Sequence, residues 1–213
     1  MEVNGCPIII YTVRWFQNHD EIDEIIMVCS KEWIEYAERL MRNYGITKVR
    51  VVSGGATAME SQYRGICAVK EKYTEAILLM HDGVRPLINK KLISDCIRCV
   101  EKNGSAITIA SAGETVMTID EMKTVSTVIK RSECVLGRAP QCFYMSKLIE
   151  LHEKAQGKHL DNIVDSASLF FHFGERIFTV DGPAENIKLT TPSDYYYFKA
   201  IIDARESLQF SKI

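Results

Sequence analysis

Short apolar runs alternate with longer amphipathic segments through the first half of the chain. The runs are rich in isoleucine, valine and leucine and have the length of buried strands. They lie at 24–29, 49–52, 76–80 and 106–110. Segments with helical spacing or helix-start residues separate them. These lie at 8–16, 31–43, 59–72 and 92–102. The alternation predicts an α/β fold with a mostly parallel sheet that is covered by helices on both faces.

The alternation breaks between residues 111 and 138. Two strand-like segments, 114–117 and 124–129, flank a polar turn at 119–123, and this predicts a hairpin that projects from the sheet. The hairpin is only weakly apolar, so we expect an arm that packs on a second copy of the chain in a homodimer. The later pattern predicts further elements. These are helices at 146–155, 165–173 and 192–207 and strands at 177–180 and 187–189. We assign residues 1–213 to a single domain in which 111–138 is the dimerisation arm.

The composition is ordinary for a globular protein and narrows the classes of partner. The chain has 213 residues, of which 46% are hydrophobic and 25% are charged, with a formal net charge of −2. This balance gives no reason to expect binding to nucleic acid or to an anionic membrane. No apolar run has the length of a membrane span, and no basic segment precedes the run at 8–10 as it would in a signal peptide. We therefore expect a cytoplasmic protein.

Cysteine usage also favours a reducing compartment. The seven cysteines are an odd number and are scattered through helical and strand-like segments, which is typical of reduced and mostly buried thiols. Cys96 and Cys99 form a C-x-x-C pair inside a helical pattern, but a structural zinc site needs four ligands and no second pair follows. We predict that these two thiols pack on a helix face.

The segment Ala76–Pro86 carries the most specific chemistry. Five apolar residues lead into Asp82, Gly83, Arg85 and Pro86. A carboxylate at the carboxyl end of a buried parallel strand lies where open α/β sheets bind ligands, and Asp82 could hold Mg²⁺ beside phosphate groups. Alternatively, Asp82 caps the next turn and Arg85 is a solvated base.

Four blocks of sequence together resemble one family of enzymes. They are Gly54–Ser61, His81–Pro86, Ala139–Phe143 and Glu185–Asp194, and Asp165–Ser168 matches as well. In this order and spacing the chain resembles the 2-C-methyl-D-erythritol 4-phosphate cytidylyltransferases and the ribitol 5-phosphate cytidylyltransferases. The resemblance covers essentially the whole chain. It implies a Rossmann-like three-layer α/β/α nucleotidyltransferase fold, similar to the nucleotide-diphospho-sugar transferases.

The resemblance implies that a polyol phosphate attacks the α-phosphorus of CTP and releases pyrophosphate, with Mg²⁺ as the cofactor. Such chemistry needs cations and backbone donors placed around phosphate, rather than a nucleophilic side chain. The nucleotide contacts implied by the match are Gly54, Gly55, Ala56, Ser61, Asp82 and Gly83. The implied catalytic residues are Lys188, Arg131 and Asp82, with Asp82 also as the metal ligand. The implied contacts to the polyol phosphate are Arg131, Thr115 and Lys188, where Arg131 and Thr115 reach across from the arm of the partner subunit.

Each of these residues also has a simpler interpretation. Gly54 and Gly55 fit a plain tight turn, and Ser61 fits the start of a helix. Arg131 fits a solvated arm residue, and Lys188 fits a charge that blocks aggregation at an edge strand. Arg85 is expected to organise the loop rather than to touch the substrate.

The chain also departs from the family pattern. Family members begin with an apolar strand and a glycine-rich loop that wraps the triphosphate, whereas Met1 falls after both, so we expect the first central strand to be missing from the sheet. Ala58 and Ala139 replace an arginine and a threonine that are usual in the family. In the arm, Glu114 and Met117 replace an aspartate and a lysine.

Two hypotheses follow. In the first, the natural protein is a cytidylyltransferase whose opening segment precedes Met1. In the second, the chain is a degenerate, non-catalytic member that binds a ligand or partner. We favour the first, because Asp82, Arg131 and Lys188 are all present and a missing central strand is costly. For the chain as given we expect weak or absent turnover.

Overall fold

The computed structural model describes residues 1–158, 160 and 163–210, apart from the side chains of 209 and 210. The helices of this part are α1 Ile8–Gln17, α2 Ile34–Asn43, α3 Ala58–Lys70, α4 Lys90–Asn103, α5 Met145–Gly157, α6 Ser166–His172 and α7 Pro192–Phe210. The strands are β1 Glu2–Val3, β2 Cys6–Pro7, β3 Ile25–Cys29, β4 Val49–Ser53, β5 Ile77–Met80, β6 Ser105–Ser111, β7 Met117–Ile119, β8 Val125–Val128, β9 Val135–Tyr144 and β10 Thr179–Asp181. Single 3₁₀ turns lie at Lys31–Trp33 and Arg131–Glu133.

The central sheet is divided into two parts. Four strands run in the order β10–β6–β9–β5, while β3 and β4 form a separate parallel pair. Strand β10 is parallel to β6, and β9 runs antiparallel to both of its neighbours. Within the described residues β3 pairs only with β4 and β5 only with β9. Each therefore keeps one edge without a strand partner in this part of the chain.

Alternation along β5 shows why the sheet is covered on both faces. Ile77 and Leu79 pack with residues of α1 and α4, whereas Leu78 and Met80 pack with residues of α3, α5 and α6. Because successive side chains of a strand point to opposite faces, an unbroken apolar run requires an apolar layer on each side. The predicted three-layer α/β/α arrangement is confirmed.

Strand β9 was not predicted, and it is the one antiparallel strand in the middle of the sheet. Its sequence contains Gly137 and Pro140, both of which weaken a strand pattern. The structure accommodates Pro140 at a register irregularity opposite Thr108, whose hydroxyl donates to the Pro140 carbonyl at 2.8 Å. The predicted strand at 187–189 was wrong, because that segment is a loop without sheet partners among the described residues.

The predicted arm is present as the hairpin of β7 and β8, although its first strand begins at Met117 rather than at Glu114. Asp120 fixes the turn, because its carboxylate accepts hydrogen bonds from the backbone N–H and the hydroxyl of Thr124. Every residue of the two strands is exposed. Across the described residues of the whole chain, no helix is long and apolar enough to cross a membrane.

Candidate functional site

Asp82 follows directly from the carboxyl end of β5, and both of its carboxylate oxygens are engaged. One oxygen lies 2.8 Å from the ammonium nitrogen of Lys188, and the other lies 3.2 Å from Nε of Arg85. The Asp82 side chain is 31% exposed and that of Lys188 is 48% exposed. The structure thus brings together two predicted site residues that are distant in sequence, and both reach the surface.

Backbone contacts explain how Lys188 reaches Asp82. Arg85 is buried, and its guanidinium donates to the carbonyl of Asn186 at 2.9 Å. The backbone N–H of Leu189 donates to the carbonyl of Val84 at 2.9 Å. The loop after β5 is therefore bound to the segment that carries Lys188. Arg85 organises this loop, as predicted, rather than serving as a solvated base.

His81 lies beneath the loop as a neutral side chain. Its Nε2 forms a hydrogen bond with the carbonyl of Arg85 at 2.9 Å, and its ring packs edge-on against Phe16 at 5.2 Å. Burial lowers the pKa of His81 to about 4, because a buried imidazolium loses its hydration. This position suits a structural role better than proton transfer.

The neighbouring cations keep Asp82 ionised. Burial alone would raise the pKa of this carboxyl, but the hydrogen bond and charge of Lys188, together with Arg85, hold it below its ordinary value. Asp165 lies close enough to Asp82 for electrostatic interaction. Its own oxygens accept from the Ser168 N–H at 2.8 Å and from the Gln141 side chain at 2.7 Å. Asp82 and Asp165 are therefore both held in place by donors from neighbouring segments.

The loop after β4 carries the predicted nucleotide contacts Gly54, Gly55 and Ala56. Ser61, in the first turn of α3, accepts a hydrogen bond from the Gly55 N–H at 3.0 Å, and Glu60 accepts one from the Ala56 N–H at 2.8 Å. Two amides that the resemblance assigns to the nucleotide are thus bonded to the start of α3. Ser61 therefore holds the loop against α3, and it also lies at the start of that helix, as its simpler interpretation predicts.

Close packing explains the two glycines of this loop. A Cβ on Gly54 would lie 2.8 Å from the Ser61 hydroxyl oxygen, and one on Gly55 would lie 2.3 Å from the Glu60 side chain. Arg64 completes the brace by donating to the Gly54 carbonyl at 2.8 Å and to Glu60. The pattern of the sequence did not identify Glu60 and Arg64, although their spacing of four on a helix favours such a pair.

A second group missed by the sequence analysis lies beside Lys188. The side-chain amide of Asn186 donates to the Ala139 carbonyl at 2.7 Å, and Arg138 donates to the Asn186 carbonyl at 3.1 Å. The strand that follows the arm is thereby bound to the loop that carries Lys188. The only signal for Arg138 in the sequence was its place immediately before the Ala139–Pro140 match.

Arg131 and Thr115 do not join this site within one protomer. Both are exposed on the arm, and neither contacts Asp82 or Lys188 in the described part of the chain. Gly83 does lie at the site, where its carbonyl accepts a hydrogen bond from Thr12 at 2.8 Å. The predicted roles of Arg131 and Thr115 require a second copy of the chain.

Mg²⁺ prefers oxygen ligands, and the site offers the carboxylate of Asp82. The described residues contain no group of three or more His, Cys, Asp or Glu side chains suited to a metal ion. Mg²⁺ beside phosphates, however, is usually held by one or two carboxylates, substrate oxygens and water. Asp82 is partly exposed and ionised, so it fits the protein's share of such a site.

Comparisons with known proteins identify the family. The family described as "IspD: 2-C-methyl-D-erythritol 4-phosphate cytidylyltransferase" matches residues 1–204. The chain is 40% identical over 211 residues to a ribitol-5-phosphate cytidylyltransferase of Streptococcus agalactiae serotype Ia, covering 98% of this chain and 88% of that protein. It is 33% identical over 205 residues to a 2-C-methyl-D-erythritol 4-phosphate cytidylyltransferase of Clostridium novyi, covering 95% and 87% of the two chains.

A solved structure gives the same result for the fold. The 4-diphosphocytidyl-2C-methyl-D-erythritol synthase of Anaerococcus prevotii superposes with a TM-score of 0.87 at 28% identity, covering 95% of this chain and 88% of that one. The predicted resemblance is confirmed. This chain belongs to the IspD family of cytidylyltransferases.

Proposed function

We propose that this protein transfers the cytidylyl group of CTP to ribitol 5-phosphate and releases pyrophosphate. The observation that carries the proposal is the Asp82–Lys188 ion pair at the end of β5, in which the acid and the base are both partly exposed. The choice of acceptor is supported by relatives from Streptococcus and Vibrio, both ribitol-5-phosphate cytidylyltransferases that are 40% identical to this chain. The chain is therefore a transferase that acts on two phosphorylated substrates.

The reaction needs the two substrates held in line. A phosphate oxygen of the acceptor forms a bond to the α-phosphorus of CTP, and the bond from that phosphorus to the bridging oxygen breaks. Pyrophosphate leaves with the bonding electron pair. Lys188 offsets charge that develops on the α-phosphate oxygens, and Asp82 orients the nucleotide. The acceptor phosphate is already ionised, so no side chain has to remove a proton.

Mg²⁺ would neutralise charge on the triphosphate when bound. Asp82 is the residue that would hold it, together with oxygens of the nucleotide. Removal of divalent ions with EDTA is expected to abolish pyrophosphate release, and added Mg²⁺ is expected to restore it. Activity that persists in EDTA would contradict this assignment.

The arm completes the site by crossing to a second subunit in a homodimer. Exposed apolar side chains on the arm support this proposal, because a lone hairpin rarely carries them without a partner. They are Met117, Ile119, Met122, Val125, Val128, Val135 and Leu136. Arg131 and Thr115 of one subunit would then bind the polyol phosphate of the other. Seven free cysteines, together with CTP as a substrate, support a cytoplasmic location.

Two alternatives remain distinct from this proposal. The family description and the Clostridium relatives favour 2-C-methyl-D-erythritol 4-phosphate as a second candidate acceptor. The internal bonding of Gly55 and Ala56 by Ser61 and Glu60 favours a non-catalytic binding protein, because those amides are occupied.

Measurement of pyrophosphate release from CTP distinguishes the proposed function from both alternatives. The purified protein would be assayed with Mg²⁺ and each polyol phosphate in turn. We expect slow release, with a higher kcat/KM for ribitol 5-phosphate than for 2-C-methyl-D-erythritol 4-phosphate. A higher value with 2-C-methyl-D-erythritol 4-phosphate would reverse the choice of acceptor. Absence of release with either substrate, while calorimetry still detects CTP binding, would favour the non-catalytic protein.

A further inference from the structure

Arg138 is a partly buried cation without a carboxylate partner in the described part of the chain. It lies on β9, and its guanidinium forms a single hydrogen bond, to the Asn186 carbonyl at 3.1 Å. Its Nε atom is buried and has no hydrogen-bond partner there. Burial, followed by the charge of Arg85, lowers the pKa of Arg138 from its ordinary value. A guanidinium so placed is costly unless a further group binds to it.

The same carbonyl is shared by a second arginine. Arg85 donates to the Asn186 carbonyl at 2.9 Å, so two like charges converge on one acceptor. The nearby carboxylate, Asp82, is already engaged by Arg85 and Lys188. Arg138 therefore adds a third positive charge beside Arg85 and Lys188, while Asp165 is the second acid close enough to interact with Asp82. The region carries an excess of one positive charge.

A bound anion would offset this excess and would give the buried Nε of Arg138 an acceptor. We propose that Arg138 is a further substrate-binding residue, which contacts the phosphate group of the polyol phosphate. This inference rests on the proposed function and adds to it a base that the family resemblance did not assign. A phosphomonoester is close to a dianion at neutral pH, and a guanidinium binds phosphate oxygens through paired N–H donors.

The position of Arg138 assigns it to the acceptor rather than to the nucleotide. It lies on β9 and donates to the carbonyl of Asn186, two residues before Lys188, which the resemblance assigns to the polyol phosphate. The nucleotide contacts implied for Gly54 and Gly55 follow a different strand, β4. An acceptor held between Arg138 and Lys188 would also lie against Asp82, where the nucleotide is expected.

Arg138 also has a structural contact, so its two roles must be separated. The single bond to Asn186 could position Lys188 without any contact to substrate. Loss of that bond would lower kcat for every substrate, because Lys188 would be misplaced. Loss of a phosphate contact would instead raise KM for the polyol phosphate and leave KM for CTP unchanged.

Steady-state kinetics of Arg138→Gln and Arg138→Lys would make this separation. We expect Arg138→Gln to raise KM for ribitol 5-phosphate about 10- to 100-fold, the loss typical of a charged hydrogen bond. Arg138→Lys keeps the charge but not the paired N–H donors of the guanidinium, so its KM is expected to lie between those of the wild type and Arg138→Gln. The matched control is Arg42→Gln on α2, whose side chain is 70% exposed and lies 3.9 Å from Glu38. This control is expected to behave as the wild type.

Calorimetric titration of the same proteins with ribitol 5-phosphate provides a second readout. The expected result is weaker binding in Arg138→Gln by the same factor as the change in KM. An equal loss of kcat without a change in either KM would overturn the inference and leave only a positioning role. A raised KM for CTP alone would also overturn it. Wild-type protein that neither turns over nor binds a polyol phosphate would defeat the proposed function, and this inference with it.

Discussion

The ammonium of Lys188 lies 2.8 Å from a carboxylate oxygen of Asp82, while the other oxygen faces Arg85. The pair joins the loop after β5 to the loop before α7. Because Lys188 is half exposed, its contact with Asp82 contributes little to folding stability. Under the proposed function, the pair instead holds the positive charge of Lys188 beside the bound nucleotide.

Replacement of Lys188 is expected to affect turnover far more than stability. Lys188→Met removes a charge directed at the developing phosphate charge, so kcat should fall about 10²- to 10³-fold, while Tm changes little. The control is Lys199→Met, since Lys199 has similar exposure and pairs with Asp203 at 2.9 Å on α7. An unchanged kcat in Lys188→Met would contradict the role given to this residue.

Buried histidines should make the fold sensitive to acid. Burial lowers the pKa of His152 to about 4, whereas an unfolded histidine titrates near about 6.5. The unfolded chain therefore takes up the proton first as pH falls, and stability is lost between about 6.5 and about 4. His152→Phe keeps a ring against Tyr63, whose centroid lies 5.5 Å away. It should reduce the fall in Tm between neutral and mildly acid pH.

His172→Phe, on the exposed part of α6, is the matched control for this experiment and should retain the pH dependence of the wild type. His81 remains in both variants, so part of the acid sensitivity should persist. Identical pH profiles for His152→Phe and the wild type would show that His152 does not contribute.

The glycine loop should not tolerate a side chain at Gly55. A Cβ there would lie 2.3 Å from Glu60, which holds the Ala56 N–H. We expect Gly55→Ala to lower the free energy of unfolding by about 1–3 kcal/mol and to raise KM for CTP. Gly113→Ala is the control, because nothing lies within 4 Å of its added Cβ. Equal unfolding midpoints in urea for the two variants would contradict this account of the loop.

The apolar surface of the arm should control assembly. Val125 and Val128 are 56% and 60% exposed, so lysine at both positions should not disturb the core. We expect the wild type to sediment as a dimer at micromolar concentration and the double variant, Val125→Lys with Val128→Lys, to sediment as a monomer. Val164→Lys, at an exposed site outside the arm, should remain dimeric. A dimeric double variant would exclude the arm as the interface.

Elements whose apolar pattern directly reflects their burial could be predicted from the sequence. Strand β5 was predicted correctly because helices cover both of its faces, with Ile77 on one face and Leu78 on the other. A strand buried on both faces has an unbroken apolar sequence. Strand β9 was missed because Pro140 interrupts the pattern, and only the irregular pairing opposite Thr108 accommodates it. The start of the arm was misplaced because the Asp120–Thr124 contact, rather than hydropathy, sets the turn.

The contact between Asp82 and Lys188 follows from sequence motifs, whereas the contacts around it do not. Asp82 could be identified from its place after a strand, and Lys188 from the family pattern. The link from Arg138 through Asn186 to Arg85 joins three separate segments, and no local pattern encodes such a contact. The bonding of the glycine loop by Glu60 likewise became visible only in the structure.

Mixing two inactive variants tests the central claim most directly, namely that Asp82 and Lys188 of one subunit act with Arg131 of the other. Asp82→Asn and Arg131→Gln would be combined in equal amounts and allowed to exchange subunits. In mixed dimers one of the two sites regains both native residues, so pyrophosphate release should recover to about a quarter of the wild-type rate. A rate no higher than the sum of the separate variants, despite proven exchange, would contradict a site shared between subunits.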